Sequence, residues 1–533
     1  MQRFSTIGRR AFQVGLITLP ALGFAAAASA QEVRIGISAE LSAMDPHYHN
    51  LTPNNMIAQQ IYEPLVGQDV TQKLTPLLAE SWKAIDDTTW EFKLRKNVKF
   101  HDGSPFTVDD VLATFQRAPN VPKSPSSFGA YVRGKEFSKV DDHTFRVKTA
   151  APAPLVPTDF STFGVISAKC KDTTTEEFNA GKCAAGGTGP YKHGEYVAGD
   201  RVVLTRNDSY WGAKPIWATA RFRIITSSPT RVAALLAGDV DVIENVPTTD
   251  VARLKADPKI NVASTVSNRV IYFHMDHFRE NSPFITAKDG SPIKNPLRDL
   301  RVRQALSMAI NRPGIVDRIM EKEAIPANQL LPDQFFGTSK KLKPIAFDLN
   351  GAKKLLTEAG YPNGFKMKLH GPNGRYLNDT KIIEAVAQMF SRLGIDTEVE
   401  TLPAGNFFSR ASQGAPGNLP EFSFILVGWG AGTGESSDSL KALLATFDRE
   451  KGMGATNRGR YSNPAFDAKL VEALRTVDDA KRDLALAAAM EIGMNDLGLI
   501  PVHYQLNTWA TRKGFKFEAR TNEYTLATSI SKE

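Results

Sequence analysis

The sequence predicts an α/β protein of more than one lobe, and three observations carry that prediction. Phe222, Ile224 and Ile225 read as a strand, Ser228-Pro229 as an N-cap with proline at the first helical position, 231–236 as a helix stopped at Gly238, and 240–243 as a second strand. A second strand–helix–strand unit follows: 365–369 alternates, Ile382, Ala385, Val386, Met389 and Leu393 form a helical stripe, and 395–401 alternates again. The 533 residues also exceed the length at which a single core keeps growing, so two or three lobes are expected, one unit in each of two of them. Parallel strands with crossover helices put ligand sites at the carboxyl ends of the strands.

The elements follow in chain order. Arg3, Arg9 and Arg10 precede an apolar run at 14–28, and Ala28-Ser29-Ala30 supplies the small residues of a signal-peptidase site, so 1–30 reads as an export signal cleaved after Ala30. The alternative is a membrane anchor, but the run is shorter than the ~20 residues a bilayer needs and is broken by Pro20. Gly8-Arg9-Arg10-Ala11-Phe12 also fits a twin-arginine signal, so either export route is open. In 79–115, Trp90, Phe92 and Leu94 alternate with polar residues, His101-Asp102-Gly103-Ser104-Pro105 turns the chain, and Thr107 with Asp110 forms a capping box. Cys170 and Cys183 lie thirteen apart in a loop-like stretch, and an oxidising compartment makes a local disulfide the default. Asp299 leads a helix with Val302, Ala305, Leu306, Ala309 and Ile310 on one face, and 351–359 forms another, ended by Gly360 and Pro362.

The formal charge of +8, three of it from the leader arginines, is spread without basic blocks, which excludes a nucleic-acid footprint. There is no G-x-S-x-G elbow and no HExxH helix. Ser436, Asp438 and His503 are a serine, an acid and a histidine that any chain this long supplies, so the sequence argues for a binding protein and against a hydrolase. No cofactor is expected.

Several stretches together resemble the family 5 extracellular solute-binding proteins: AESWKAIDDTTWEFKLRKNVKFHDGSPFTVDDVLATF at 79–115, GTGPYKHGEYVAGDRVVLTRNDSYWG at 187–212, RVAALLAGDVDVIENVP at 231–247, RDLRVRQALSMAINR at 298–312 and AKKLLTEAGYPNGF at 352–365. The resemblance implies a periplasmic binding protein-like fold with two lobes, a hinge and an inserted third domain. A first lobe comes from 31–74, 188–281 and 504–533, the inserted domain from 75–187, and the second lobe from 282–503. It also implies a monomeric periplasmic carrier of a small molecule or short peptide. Such a carrier docks on the transmembrane permease subunits of an ABC importer with its ATPase. Family cargo includes peptides, glutathione, nickel chelates, opines and other solutes such as glycosides; a role in chemosensing is equally compatible.

Two segments are the best ligand candidates. Gly428-Trp429-Gly430-Ala431-Gly432-Thr433-Gly434-Glu435 follows the apolar strand at 422–427; no GK[ST] follows its glycines, which argues against a phosphate cradle. In the resembled family this is a pocket-lining Gly-Trp loop, where Trp429 offers a flat face; core packing is the alternative. Peptide-binding members carry an aspartate three residues after the tryptophan, which pairs with the peptide ammonium, and here that position is Gly432. Either Glu435 or Asp438 takes over, or the ligand lacks a free amino terminus. The second segment, 371–379, carries Arg375, which corresponds to an arginine that holds a carboxylate in dipeptide binders, and which is otherwise a solvated surface residue. Tyr48 and His49 correspond to residues at the cleft mouth. His47 and His49, two apart, suit neither an HExxH helix nor a closed zinc site, so no metal is expected. Phe128 and Tyr131 of the inserted domain face either the pocket or the core.

Overall fold

The computed structural model describes residues 31–533; the leader expected at 1–30, with its arginine pair and cleavage site, lies outside the described residues. A twelve-stranded mixed sheet forms the backbone of both lobes. In the first, Thr219–Ile224 and Val242–Ile243 run parallel to Glu32–Ile37, which lies between them. The predicted strand–helix–strand unit is therefore present, but its crossover passes over the N-terminal strand, whose Val33, Ile35 and Ile37 are fully buried. The crossover helix, Ser228–Ala237, is preceded by Ser227 as N-cap, one residue earlier than expected, and ends on Gly238 at φ 82°, where the left-handed conformation calls for glycine. In the second lobe, Lys366–Asn373 and Asp396–Pro403 pair in parallel, from Lys366 opposite Asp396 to Asn373 opposite Pro403, across the helix Asp379–Ser391.

Two long strands, Ile260–Met275 and Ile500–Arg512, pass from one lobe to the other as an antiparallel pair. Their Ile260–Arg512 end adjoins Val242–Ile243, and the Met275 end pairs with Phe424–Gly430. The ladder breaks between Val266 and Val270. This bulge puts Ser267, Asn268 and Arg269 out of register with Ile500–Arg512 midway along the crossing, where a bulge re-aims side chains.

A third apolar core lies in the region of the inserted domain. Ala79–Asp86, Thr89–Leu94, Thr144–Thr149 and Lys135–Asp141 form a four-stranded antiparallel sheet, over which Phe92, Phe106, Phe115, Phe145 and Phe160 are buried. The Thr107 N–H donates to Asp110 at 2.9 Å, completing the start of the helix Val108–Arg117, and the other Asp110 oxygen accepts from Ala168 N–H at 2.8 Å. That second bond ties the capping box to the segment bearing the Cys170–Cys183 disulfide, whose Cα atoms are 6.0 Å apart. Closing a loop this short stabilises by ~3 kcal/mol at most. Phe128 belongs to the same core. It is completely buried against His47 and Phe163, so it does not face the cleft, because aromatic packing takes its whole surface. Among the described residues no helix is long and apolar enough to cross a membrane.

Candidate functional site

A cavity of about 300 Å³ sits at the bulge, between the lobes. The second lobe contributes Trp429, Gly432, Thr433 and Asp438; the bulge contributes Asn268 and Arg269; the C-terminal tail contributes Asn522, Glu523 and Tyr524. Asn50, Gln68 and Tyr131 close it from the N-terminal segment and the inserted domain, with the Asn50 amide donating to the Tyr131 hydroxyl at 3.2 Å.

Trp429 reaches this cavity from a strand rather than a loop. Phe424–Gly430 stays paired through Trp429 opposite Val270 and Gly430 opposite Arg269, three residues beyond the predicted strand end. Gly428 stands behind the tryptophan: its carbonyl accepts from the Tyr376 hydroxyl at 3.1 Å, and a Cβ there would lie 2.7 Å from Ile271 and 2.9 Å from the Tyr376 ring. Beyond the strand, the Asn268 amide donates to Gln72 and to the Ala431 carbonyl, both at 2.9 Å, and Gln72 donates to Gly432 O at 3.2 Å. The turn is thus fixed by its backbone. Gly432 itself meets open space: a Cβ would have no neighbour within 4 Å.

The two carboxylates named as replacements for the missing aspartate have separate environments. Glu435 is buried and accepts from Arg482 Nη1 at 2.8 and 2.9 Å, with the Ser437 hydroxyl as a further donor. Its acceptors are occupied. Asp438, in the first turn of the helix Ser436–Leu443, faces the cavity and makes no ion pair or full hydrogen bond among the described residues. Burial pushes its carboxyl up to about 6; the indole N–H of Trp429 leans toward it and pulls the other way, and Glu435 and Asp159 add repulsion. That indole N–H and the Thr433 hydroxyl are buried without partners of their own.

On the facing wall, Arg269 donates to Glu523 through Nε at 2.8 Å and Nη2 at 2.9 Å, and the Ser267 hydroxyl adds a third bond at 3.2 Å. Burial alone would raise the Glu523 carboxyl, but Arg269 outweighs it and holds the group below the ordinary carboxylate range. Glu523 takes a φ of 67°, a left-handed conformation uncommon for a residue with a side chain.

Arg375 is exposed, lies 5.1 Å over the Tyr376 ring and stands outside the cavity lining. Its loop is gathered by its own helix start, since the N–H groups of Gly374, Arg375 and Tyr376 donate to Asp379 at 3.2, 2.8 and 3.0 Å. Tyr48 lines a different, larger hollow of about 590 Å³ between the N-terminal segment and the stretches at 113–123 and 171–179. That hollow is bordered by surface groups such as Gln116, Lys123 and Lys171, and none of the second lobe reaches it. His49 contacts Ser42 Oγ at 2.9 Å and pairs its backbone with Ser126. His47 is buried between Gly164 O at 2.8 Å and Arg117 at 3.0 Å. No group of three or more potential metal ligands occurs among the described residues. The Ser436 hydroxyl donates to Gly337 O at 2.8 Å, and both ring nitrogens of buried His503 lack partners, so the two do not form a nucleophile–base pair.

Sequence patterns had not pointed to Arg269, Glu523 or Tyr524. The one available signal was the polar Ser267-Asn268-Arg269 inside an otherwise strand-like run.

Residues 73–451 match the family model for the bacterial extracellular solute-binding proteins, family 5 Middle. The chain belongs to this family. Heme-binding protein A of Haemophilus influenzae is 28% identical over 490 residues, covering 85% of this chain and 83% of that protein. Glutathione-binding protein GsiB of Escherichia coli is 28% identical over 510 residues, covering 93% and 94%. The solved structure of HbpA2 from Haemophilus parasuis superposes with a TM-score of 0.77 at 25% identity, covering 94% of this chain and all of that one. Family 5 membership fits the two-lobed frame with an added domain and turns attention from reaction to capture.

Proposed function

We propose that this chain is the periplasmic substrate-binding component of an ABC importer and that it captures a peptide or peptide-like solute between its lobes without chemical change. The observation that carries this reading is the cavity at the bulge, whose walls come from segments as distant as Asn50 and Tyr524 and include a flat aromatic face at Trp429 and a free carboxylate at Asp438. A solute that touches both walls does so only when the lobes are together, and that differential contact shifts the population toward the closed form. Asp438 receives the solute's ammonium in place of the aspartate absent at Gly432, while Trp429 and Tyr131 pack its side chains. The relatives named for heme and glutathione show how wide the cargo of this frame is; cavity size and polar lining favour a small peptide-like solute here. Export through the leader at 1–30 delivers the protein to its permease.

Native mass spectrometry of freshly exported protein, joined to solution scattering, tests this. The expected result is one small solute per chain, recovered unaltered, and a radius of gyration that falls on binding. Identical scattering with and without a saturating solute overturns capture by closure, and a chemically altered solute overturns the carrier assignment.

A further inference from the structure

The charges on the cavity wall do not balance. Arg269, Asp438 and Glu523 are the only ionisable acids and bases of the lining other than tyrosines, one cation against two anions. They are also not equally available. Glu523 is committed three times, twice to Arg269 and once to Ser267, and all three groups lie together at the cleft. Arg269 in turn spends the side-on edge of its guanidinium, Nε and Nη2, on that glutamate, which leaves a ligand carboxylate only the end-on edge beside it. A carboxylate arriving here must either evict Glu523, leaving a half-buried acid without its cation, or sit beside it as a like charge; both are unfavourable. Asp438 is the opposite case, a half-buried acid with no ion pair, next to two aromatic residues and to an indole N–H and a threonine hydroxyl that also lack partners.

The charged groups behind the wall temper this balance without pairing with Asp438: Lys441 attracts it, Glu435 and Asp159 repel it, and Arg375 attracts Glu523. Glu435 is paired with Arg482 and Asp159 with Lys135 at 2.9 Å, Lys441 lies a turn along the helix outside the lining, and Arg375 is at the exposed rim, where solvent screens it.

From this we infer that the buried part of the solute is cationic, an ammonium or guanidinium unaccompanied by a carboxylate, and that Glu523 sets this preference by neutralising Arg269 and occupying its side-on fork. The inference rests on the capture reading above and narrows it to a charge class. Glu523 acts as an internal stand-in for a ligand carboxylate. Its left-handed backbone, rare for such a residue, places the side chain on Arg269 from the tail of the chain.

The test uses the full mature protein and three probes of one shape: alanyl-phenylalanine amide, net +1; the free dipeptide, a zwitterion; and the acetylated dipeptide, net −1. Calorimetry should rank them amide, then free acid, then acetylated acid, with at least tenfold between the first and the last. Glu523→Gln should reverse the first two by freeing Arg269, raising free-acid affinity relative to the amide at least tenfold. Circular dichroism checks that the variant is folded, and if it is not, the wild-type ranking alone decides. Equal or stronger binding of the free acid by the wild type overturns the charge inference while upholding capture. Absence of both binding and closure with all three overturns the capture reading and this inference with it.

Discussion

In the wall built by the second lobe, Glu435 and Asp438 lie one helical turn apart, yet Glu435 is clamped by Arg482 and Asp438 opens on the cavity with no cation. In the wall built by the bulge and the tail, Glu523 resembles Glu435, held by Arg269 and Ser267. The difference teaches that a carboxylate in a cleft is informative only once its partners are counted. A paired buried acid is part of the wall; an unpaired one is held at a cost that a cationic solute removes.

The largest expected effect comes from converting the paired acid into an unpaired one. Arg482→Ala strands Glu435 in a nearly dry site and should lower unfolding free energy by about 3–5 kcal/mol in a denaturant titration. A loss below 1 kcal/mol would mean that water reaches Glu435 and that the contrast with Asp438 is false.

Removing the unpaired acid should do the reverse. The Asp438 carboxyl is raised from its ordinary 3.8 to about 6, so the folded chain holds that proton more tightly than the unfolded chain. Its contribution to stability is then complete below pH 4 and disappears as pH rises through about 6. Asp438→Asn should therefore be more stable than the wild type at pH 7, by about 1–3 kcal/mol, and should lose the slope of stability between pH 4 and 6. Affinity for ammonium probes should fall in the same variant, so stability and binding move in opposite directions.

A smaller effect sharpens the comparison by adding an acid. Gly432 has open space where a Cβ would go, so Gly432→Asp should fold with a stability change of about 0.5 kcal/mol or less and strengthen binding of an ammonium probe about three- to tenfold. Unchanged affinity in calorimetry would place the bound ammonium away from this turn. The smallest effect belongs to Arg375→Ala: an exposed side chain outside the lining should change stability by less than about 0.5 kcal/mol and affinity by less than threefold. A tenfold loss for an acidic probe would restore Arg375 as an anion clamp.

Local devices of the fold were legible in the sequence. The capping box at Thr107 and Asp110, the glycine stop at Gly238 and the alternation in Thr89–Leu94 are written in adjacent residues, and each formed where its chemistry put it. The near misses are of register: Ser227 caps instead of Ser228, and Phe424–Gly430 runs on through Trp429 because Val270 and Arg269 stay opposite as partners. For the candidate site, the apolar strand at 422–427 drew attention to Trp429 just beyond it, and the resemblance, with its aspartate missing at Gly432, named Glu435 and Asp438 together without separating them.

What tertiary structure alone decided is which charges meet. Arg269 lies in a bulge and Glu523 lies 254 residues later in a left-handed turn. Nothing local in either segment specifies the other, since their pairing depends on two lobe-crossing strands delivering the bulge to the chain's own tail. The same holds for the assignment of Glu435 to Arg482 and the release of Asp438, which turn on how one helix packs against another. The sequence by itself determined the α/β elements, through short-range patterning, and the family, through the resemblance of several stretches; the sign of the cavity rests on long-range pairing of charges in the cleft, and only the folded chain sets it.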